Sequence, residues 1–376
     1  MVKKAVVAGH ICLDVTPVFP KQKMSQIGEI LKPGKLIHME GVDIHTGGCV
    51  ANTGLGMKLL GADVRLLGKI GEDEFGRLIL DIMKEYGYDG GHDMIVAKDN
   101  STSYSIVIAI PGVDRIFLHD AGANKTFCYD DIDFESIRDA SLFHFGYPPI
   151  MKKIYQDDGE ELLRIFRKVK EIGMATSLDF AAVDPNSEAG AVNWKLVLKR
   201  VLPLVDFFVP SVEELCSMLQ PERYQEWMQK AQGTDLTSMI EIKRDVVPLA
   251  DELMEMGAKV VLIKCGAPGM YYRTAGEEVL SQIGSRAFID TKSWANQEGF
   301  EKSYQPDRIL SGTGAGDTSI AAFLTAMLSG RSFERCVQLA AATGASCVSA
   351  YDALGGLLPF EVLEEKIEAG WEKVHE

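Results

Sequence analysis

Short, nearly uninterrupted apolar runs recur along this chain, and between them apolar residues return every three or four positions. "KKAVVAG" (3–9), "SLFHFG" (141–146), "ATSLDF" (175–180), "VDFFVP" (205–210) and "KVVLIKCG" (259–266) read as strands buried on both faces. Helical spacing marks residues 50–60, 74–86, 159–172, 211–219, 244–256, 316–329 and 332–349. This alternation predicts a layered α/β core with a mostly parallel sheet. Two stretches, 12–46 and 98–120, break the rhythm with segments such as "STSYSIVIAI" and "DRIFLHD". They alternate apolar with polar, as in an antiparallel sheet with one exposed face. Both leave the core early, which predicts a discontinuous β lid over a core made of 1–11, 47–97 and 121–376. Residues 220–243 and 284–306 are polar, Gln/Glu-rich and weakly periodic, and read as surface insertions.

Composition narrows the partners more than the fold. The 376 residues carry a formal net charge of −15. Such an acidic surface argues against nucleic acid or anionic membrane held by bulk electrostatics, while leaving room for a local cationic pocket. No apolar run approaches the ~20 residues that span a bilayer. The seven cysteines are scattered, odd in number and never spaced C-x-x-C, and read as reduced thiols of a cytoplasmic protein without a zinc site.

Candidate chemistry concentrates in two Gly-rich stretches. In "SGTGAGDTSIAAFLTAML" (311–328) a Gly turn feeds a helix, a natural anion site because its first amides are unpaired and the dipole adds positive charge. A carboxylate there, Asp317, is either a first-turn capping acid or a group placed to act beside a bound anion. In "HTGGCVANTGLGMKLLGADVRLLGKIGEDEFG" (45–76), Gly47 and Gly48 allow close backbone approach before a helix, and Asn52 in its first turn offers a donor and an acceptor. Other nucleotide motifs fail on spacing. Six residues rather than four separate Gly61 from the Gly68-Lys69 pair, and "GTGAGD" is not G-x-G-x-x-G. His10, His38, His45, His92, His119, His144 and His375 are dispersed and read as packed or surface histidines.

Taken together, the two Gly-rich stretches resemble the signatures of the PfkB-type carbohydrate kinases, with "LDFAAVDPN" (178–186), "VPSVEEL" (209–215) and "VVLIKCGAPGMYY" (260–272) between them in the family order. The resemblance implies a ribokinase-like fold, a Rossmann-like layered α/β core with a small β-sheet lid, and ATP-dependent phosphorylation of a small sugar or sugar acid. A nucleoside kinase of the same fold and a sugar-binding protein without chemistry are the alternatives. It makes Asp317 the base and Gly314, Ala315 and Gly316 the anion hole for the transferring phosphoryl group. Asp14, Gly47, Gly48, Asn52 and Asn124 fall on the sugar side, although Asp14 alone reads equally as a satisfied turn acid. Ser211, Lys264, Gly266 and Gly269 fall on the nucleotide side, with "CVQLAAATGASCV" closing the adenine wall. Glu214 matches an acid that organises Mg2+ through water. Ser211 departs from the Asn usual at its position, which bears on nucleotide affinity. Cys49 stands where relatives that accept phosphosugars often carry Lys, which implies an unphosphorylated acceptor unless Arg115 or a lid lysine supplies the charge. Where relatives require K+, it lies by the loop before Gly312 and near "SAYDALGG". A homodimer through the lid is the assembly the resemblance suggests.

Overall fold

A computed structural model describes residues 3–20, 32–110, 116–231, 236–287 and 289–374; Arg115 and His375 lie outside them. The strands are β1 (Lys4–Gly9), β2 (Cys12–Pro17), β3 (Val42–Gly47), β4 (Asp63–Leu67), β5 (Lys69–Gly71), β6 (Ile95–Ala97) and β7 (Tyr104–Ile108). They continue as β8 (Ile116–Asp120), β9 (Leu142–Gly146), β10 (Ala175–Asp179), β11 (Phe207–Phe208), β12 (Val260–Lys264), β13 (Gly269–Thr274) and β14 (Glu298–Lys302). The main helices are α1 (Cys49–Leu59), α2 (Glu74–Glu85), α3 (Lys152–Ile172), α4 (Trp194–Val201), α5 (Val212–Leu219), α6 (Pro221–Ala231), α7 (Val247–Glu255), α8 (Ala315–Leu328) and α9 (Phe333–Cys347).

Eight strands form the main sheet in the order β14-β13-β12-β11-β10-β9-β1-β4. Pairing is parallel from β4 through β12, and β13 and β14 turn back antiparallel at one edge. Because side chains alternate along a strand, each central strand feeds two cores. Ala5 and Val7 pack with α1, α8 and α9 on one face, while Val6 and Ala8 pack with α3, α4, α5 and α7 on the other. Every residue of "LFHFG" and "ATSLD" is buried, which is why these strands carry no polar alternation. The register sets Gly9, Gly146 and Asp179 level at the carboxyl edge of the sheet, and Ser211 bridges Lys264 beside them. Open α/β sheets bind ligands at that edge.

The small sheet runs β3-β2-β7-β8. Its outer pairs are antiparallel, but β2 and β7 are parallel, which corrects the all-antiparallel expectation. Each antiparallel pair joins strands adjacent in the chain, and the two pairs then lie side by side with their inner strands in the same direction. One face carries the row Ile44–Val15–Ile106–Leu118; the other carries His45–Asp14–Ser105–His119.

A second correction concerns the polar stretches. Segment 284–306 supplies β14, an edge strand of the main sheet, and the buried Trp294, which packs on Phe207, Phe323 and Phe333. An edge strand is only partly covered, so "EGFEK" shows no apolar run. Segment 220–243 contributes α6, whose Trp227 and Ala231 are buried. Among the described residues no helix is long and apolar enough to cross a membrane.

Candidate active site

Two helices open into the crevice on glycine. Gly314 precedes α8 with a left-handed φ of 72°, and no side chain caps the helix. A Cβ on Gly314 would also overlap Ala353, so this turn requires glycine for both shape and space. The Ala315 N–H makes only a long bond, 3.4 Å, to the Gly312 carbonyl. Gly48 precedes α1 with φ 85°, again without a side-chain cap, although the His10 carbonyl accepts from Val50 N–H at 3.1 Å. These helix starts favour negative charge.

Asp317, the third residue of α8, is buried. Its hydrogen bonds go to other elements and not to its own helix start. Asn52 Nδ2 donates to Oδ2 at 3.0 Å, Tyr147 Oη donates to Oδ1 at 2.6 Å, and Thr53 Oγ1 reaches Oδ1 at 3.5 Å. The helix-capping alternative for Asp317 therefore lacks its defining contact.

Lys264 stands against the same Gly turn. A Cβ on Gly316 would lie 3.7 Å from Nζ, so the ammonium sits against the turn. Nζ meets both oxygens of Asp179 at 2.9 and 3.0 Å. Burial opposes the Lys264 charge, but the carboxylates of Asp179, Glu214 and Asp317 outweigh it and raise its pKa. Burial pushes Asp179 upward, Lys264 pulls it down, and Glu214 and Asp317 push it up again. The two-oxygen contact is that of an ionised pair, and the upward push on Asp179 comes first from burial and then from the acids that share the one cation. Glu214 is raised by burial and by Asp317, against Lys264 and its bonds with Ser211. Those bonds form a capping box: Ser211 N–H donates to Glu214 Oε2 at 2.7 Å, and Glu214 N–H donates to Ser211 Oγ at 3.2 Å. Among the described residues no three His, Cys, Asp or Glu side chains cluster as a ready metal cage. A recessed acid with one oxygen committed to its own helix fits magnesium held through water.

The remaining candidates divide by role. Gly266 (φ 68°) and Gly269 (φ 137°) shape the β12–β13 turn; a Cβ on either would strike Thr237 or the Glu301 carbonyl. Gly47 lies against the Asp14 carboxylate with no room for a Cβ, and Asp14 Oδ1 accepts from Cys12 Sγ at 3.3 Å. Asn124 is held by the Ile11 backbone. Its amide accepts from Ile11 N–H at 3.3 Å and donates to the Ile11 carbonyl at 2.8 Å, bracing the β1–β2 turn. Cys49 is buried against the Gly146 backbone, and burial followed by the charges of Asp317 and Asp179 keeps it a neutral thiol.

Tyr147 and His10 are, with Asp179 and Thr53, residues that the sequence did not single out for the site. Tyr147 follows β9 in a left-handed conformation (φ 70°) and reaches Asp317. The one available signal was an aromatic hydroxyl in "GYPP", directly after a fully buried strand. His10, read as packed, is indeed buried, but its Nδ1 has no hydrogen-bond partner among the described residues and its ring stacks on Tyr147 at 6.0 Å. Burial and His119 hold it well below the ordinary histidine range, hence neutral.

Known proteins resemble this chain over most of its length. An uncharacterized sugar kinase of Archaeoglobus fulgidus is 25% identical over 303 residues, 81% of this chain and 98% of that one. A 2-dehydro-3-deoxygluconokinase of Bacillus subtilis is 22% identical over 325 residues, 86% of each chain. The structure of Arabidopsis thaliana ribokinase complexed with ribose and ATP is similar in fold, with a TM-score of 0.68 at 21% identity over 97% of this chain and 98% of that one. The sequence profile of the pfkB family carbohydrate kinases matches residues 2–358, which take in both glycine-led helix starts and every strand of the main sheet. The chain belongs to that family.

Proposed function

We propose that this kinase transfers the γ-phosphoryl group of ATP to a hydroxyl of a small, unphosphorylated sugar or sugar acid. The observation that carries the reading is Asp317: a buried carboxylate in the first turn of a glycine-led helix, with Lys264 against the same turn. Asp317 accepts the proton of the acceptor hydroxyl. The Gly314–Gly316 turn and the α8 dipole face the charge that develops on the phosphoryl oxygens. When bound, ATP supplies the phosphoryl group and Mg2+ neutralises charge on its phosphates. Lys264 sits on the phosphate side with Ser211, Gly266 and Gly269, and Glu214 orders water around the metal.

The lid row His45–Asp14–Ser105–His119, with Gly47, Gly48 and Asn52, lines the acceptor side. This wall offers hydroxyl and imidazole partners for a polyol, and the neutral Cys49 offers no cation for a second phosphate. A coupled ADP-release assay over pentoses, hexoses, sugar acids, nucleosides and sugar phosphates tests the reading. ADP release should depend on an added unphosphorylated polyol; a sugar phosphate as the best acceptor would refute the assignment.

The opposite lid face is apolar, and Ile44 and Leu118 expose 37% and 54% of their surface. A second copy of the chain is the occupant we propose for it. Sedimentation equilibrium should show a dimer that Leu118→Asp weakens; an unchanged association constant would remove this face from the interface.

A further inference from the structure

The geometry points to Tyr147 as a positioning residue: its hydroxyl fixes the Asp317 carboxylate in the orientation that receives the acceptor's proton. This rests on Asp317 being the base. The two oxygens of Asp317 are pinned from different elements, Oδ1 by Tyr147 from the loop after β9 and Oδ2 by Asn52 from α1. Turning the carboxylate about its Cβ–Cγ bond would break both bonds. A carboxylate accepts about four hydrogen bonds, so Tyr147, Asn52 and the longer Thr53 contact leave one lone pair for the acceptor hydroxyl.

The surroundings hold Tyr147 in place at some expense in backbone strain. Its φ of 70° is unusual for a side chain of this size, and such conformations persist where the surroundings over-determine them. Its N–H donates to the Asp179 carbonyl at 3.2 Å. Gly146 before it is packed against Cys49, and Pro148 and Pro149 follow it. Its ring stacks on His10, whose ring in turn lies 5.1 Å from His119 of lid strand β8. A continuous line of packed rings therefore runs from the lid to the base. Burial, then the Asp317 and Asp179 charges, keep the phenol protonated. Tyr147 is thus a donor throughout and not a second base: the acceptor's proton passes to Asp317, and the tyrosine proton stays where it is.

The test is a double-mutant cycle of Tyr147→Phe and Asp317→Asn, with ATP and whichever panel acceptor turns over fastest, and with ATP hydrolysis by water as a second readout. Phenylalanine keeps the ring and its stacking, so the melting temperature should hold. Loss of one hydrogen bond to a charged group should lower kcat about 10- to 100-fold, with KM for sugar and ATP within about threefold. In the Asp317→Asn background the same change should cost nothing further, because Tyr147 acts through the carboxylate. A further loss of equal size in the double variant, or full turnover by Tyr147→Phe while Asp317→Asn is inactive, would overturn the inference and leave the base intact. A rise in kcat or a fall in sugar KM would show that Tyr147 instead obstructs the acceptor. Near-parental turnover by Asp317→Asn itself would remove the base, and this inference with it.

Discussion

Helices α5 and α8 both start at the crevice, and each carries an acid at its third position, Glu214 in one and Asp317 in the other. Length, charge and place in the helix nearly match, yet the two acids behave differently. Glu214 folds back onto Ser211 and closes a capping box. Asp317 follows a glycine with no side chain to share, turns away from its helix and is held by Asn52, Tyr147 and Thr53. The capping residue makes the difference. A serine cap satisfies the helix start from within, whereas a glycine cap leaves amides for an outside anion and frees the acid beside them for a partner. The same first-turn carboxylate closes onto its own helix start in one case and reaches other elements in the other.

Asp317→Asn puts the largest strain on this contrast. It keeps the shape of the side chain and removes the proton acceptor. We expect kcat to fall ~10²–10⁴-fold, with nucleotide and sugar affinity little changed, since the contribution is made in the transition state. If Asp317 merely capped its helix, turnover would persist and only the melting temperature would register the change, so measuring both on one preparation decides the matter. A smaller effect is expected from Glu214→Gln. The glutamine oxygen can still accept from Ser211 N–H, so the box and the stability should survive. The loss of charge beside the metal should raise the magnesium midpoint of activity roughly tenfold, in the range for groups that orient metal-bound water, while the sugar dissociation constant stays put. An unchanged magnesium titration with weakened sugar binding would place Glu214 on the wrong side of the crevice.

Legibility in the sequence followed burial. β1, β9, β10 and β12 were readable because a parallel sheet covered on both faces writes itself as continuous apolar residues. β14 was not, because "EGFEK" sits at an edge and buries no side chain fully. The parallel β2–β7 pairing was also hidden, since alternation reports a strand's faces and not its neighbours. At the site, Asp317 stood out in its Gly-rich turn, and Lys264 only through the family resemblance. Tyr147 did not, because its contact with Asp317 depends on a left-handed backbone and on the meeting of segments 170 residues apart. The Ser211–Glu214 box was present as S-x-x-E, while the resemblance implied nucleotide and magnesium roles for the same two residues.

The parallel seam in the small sheet also shapes how the molecule must fold. β2 with β3, and β7 with β8, can each pair as neighbours in the chain, but the sheet becomes whole only when Leu13 finds Tyr104 across the intervening α1 and α2. That closure carries a loop entropy that neither antiparallel pair incurs alone, so it belongs late in folding, after the main sheet has fixed β1 and β4. It also defines the line along which the native state should first come apart. Amide exchange at Val15 and Ser105, whose N–H groups face the seam, would then report an opening shallower than global unfolding, while the amides of β9 and β10 wait for the whole molecule.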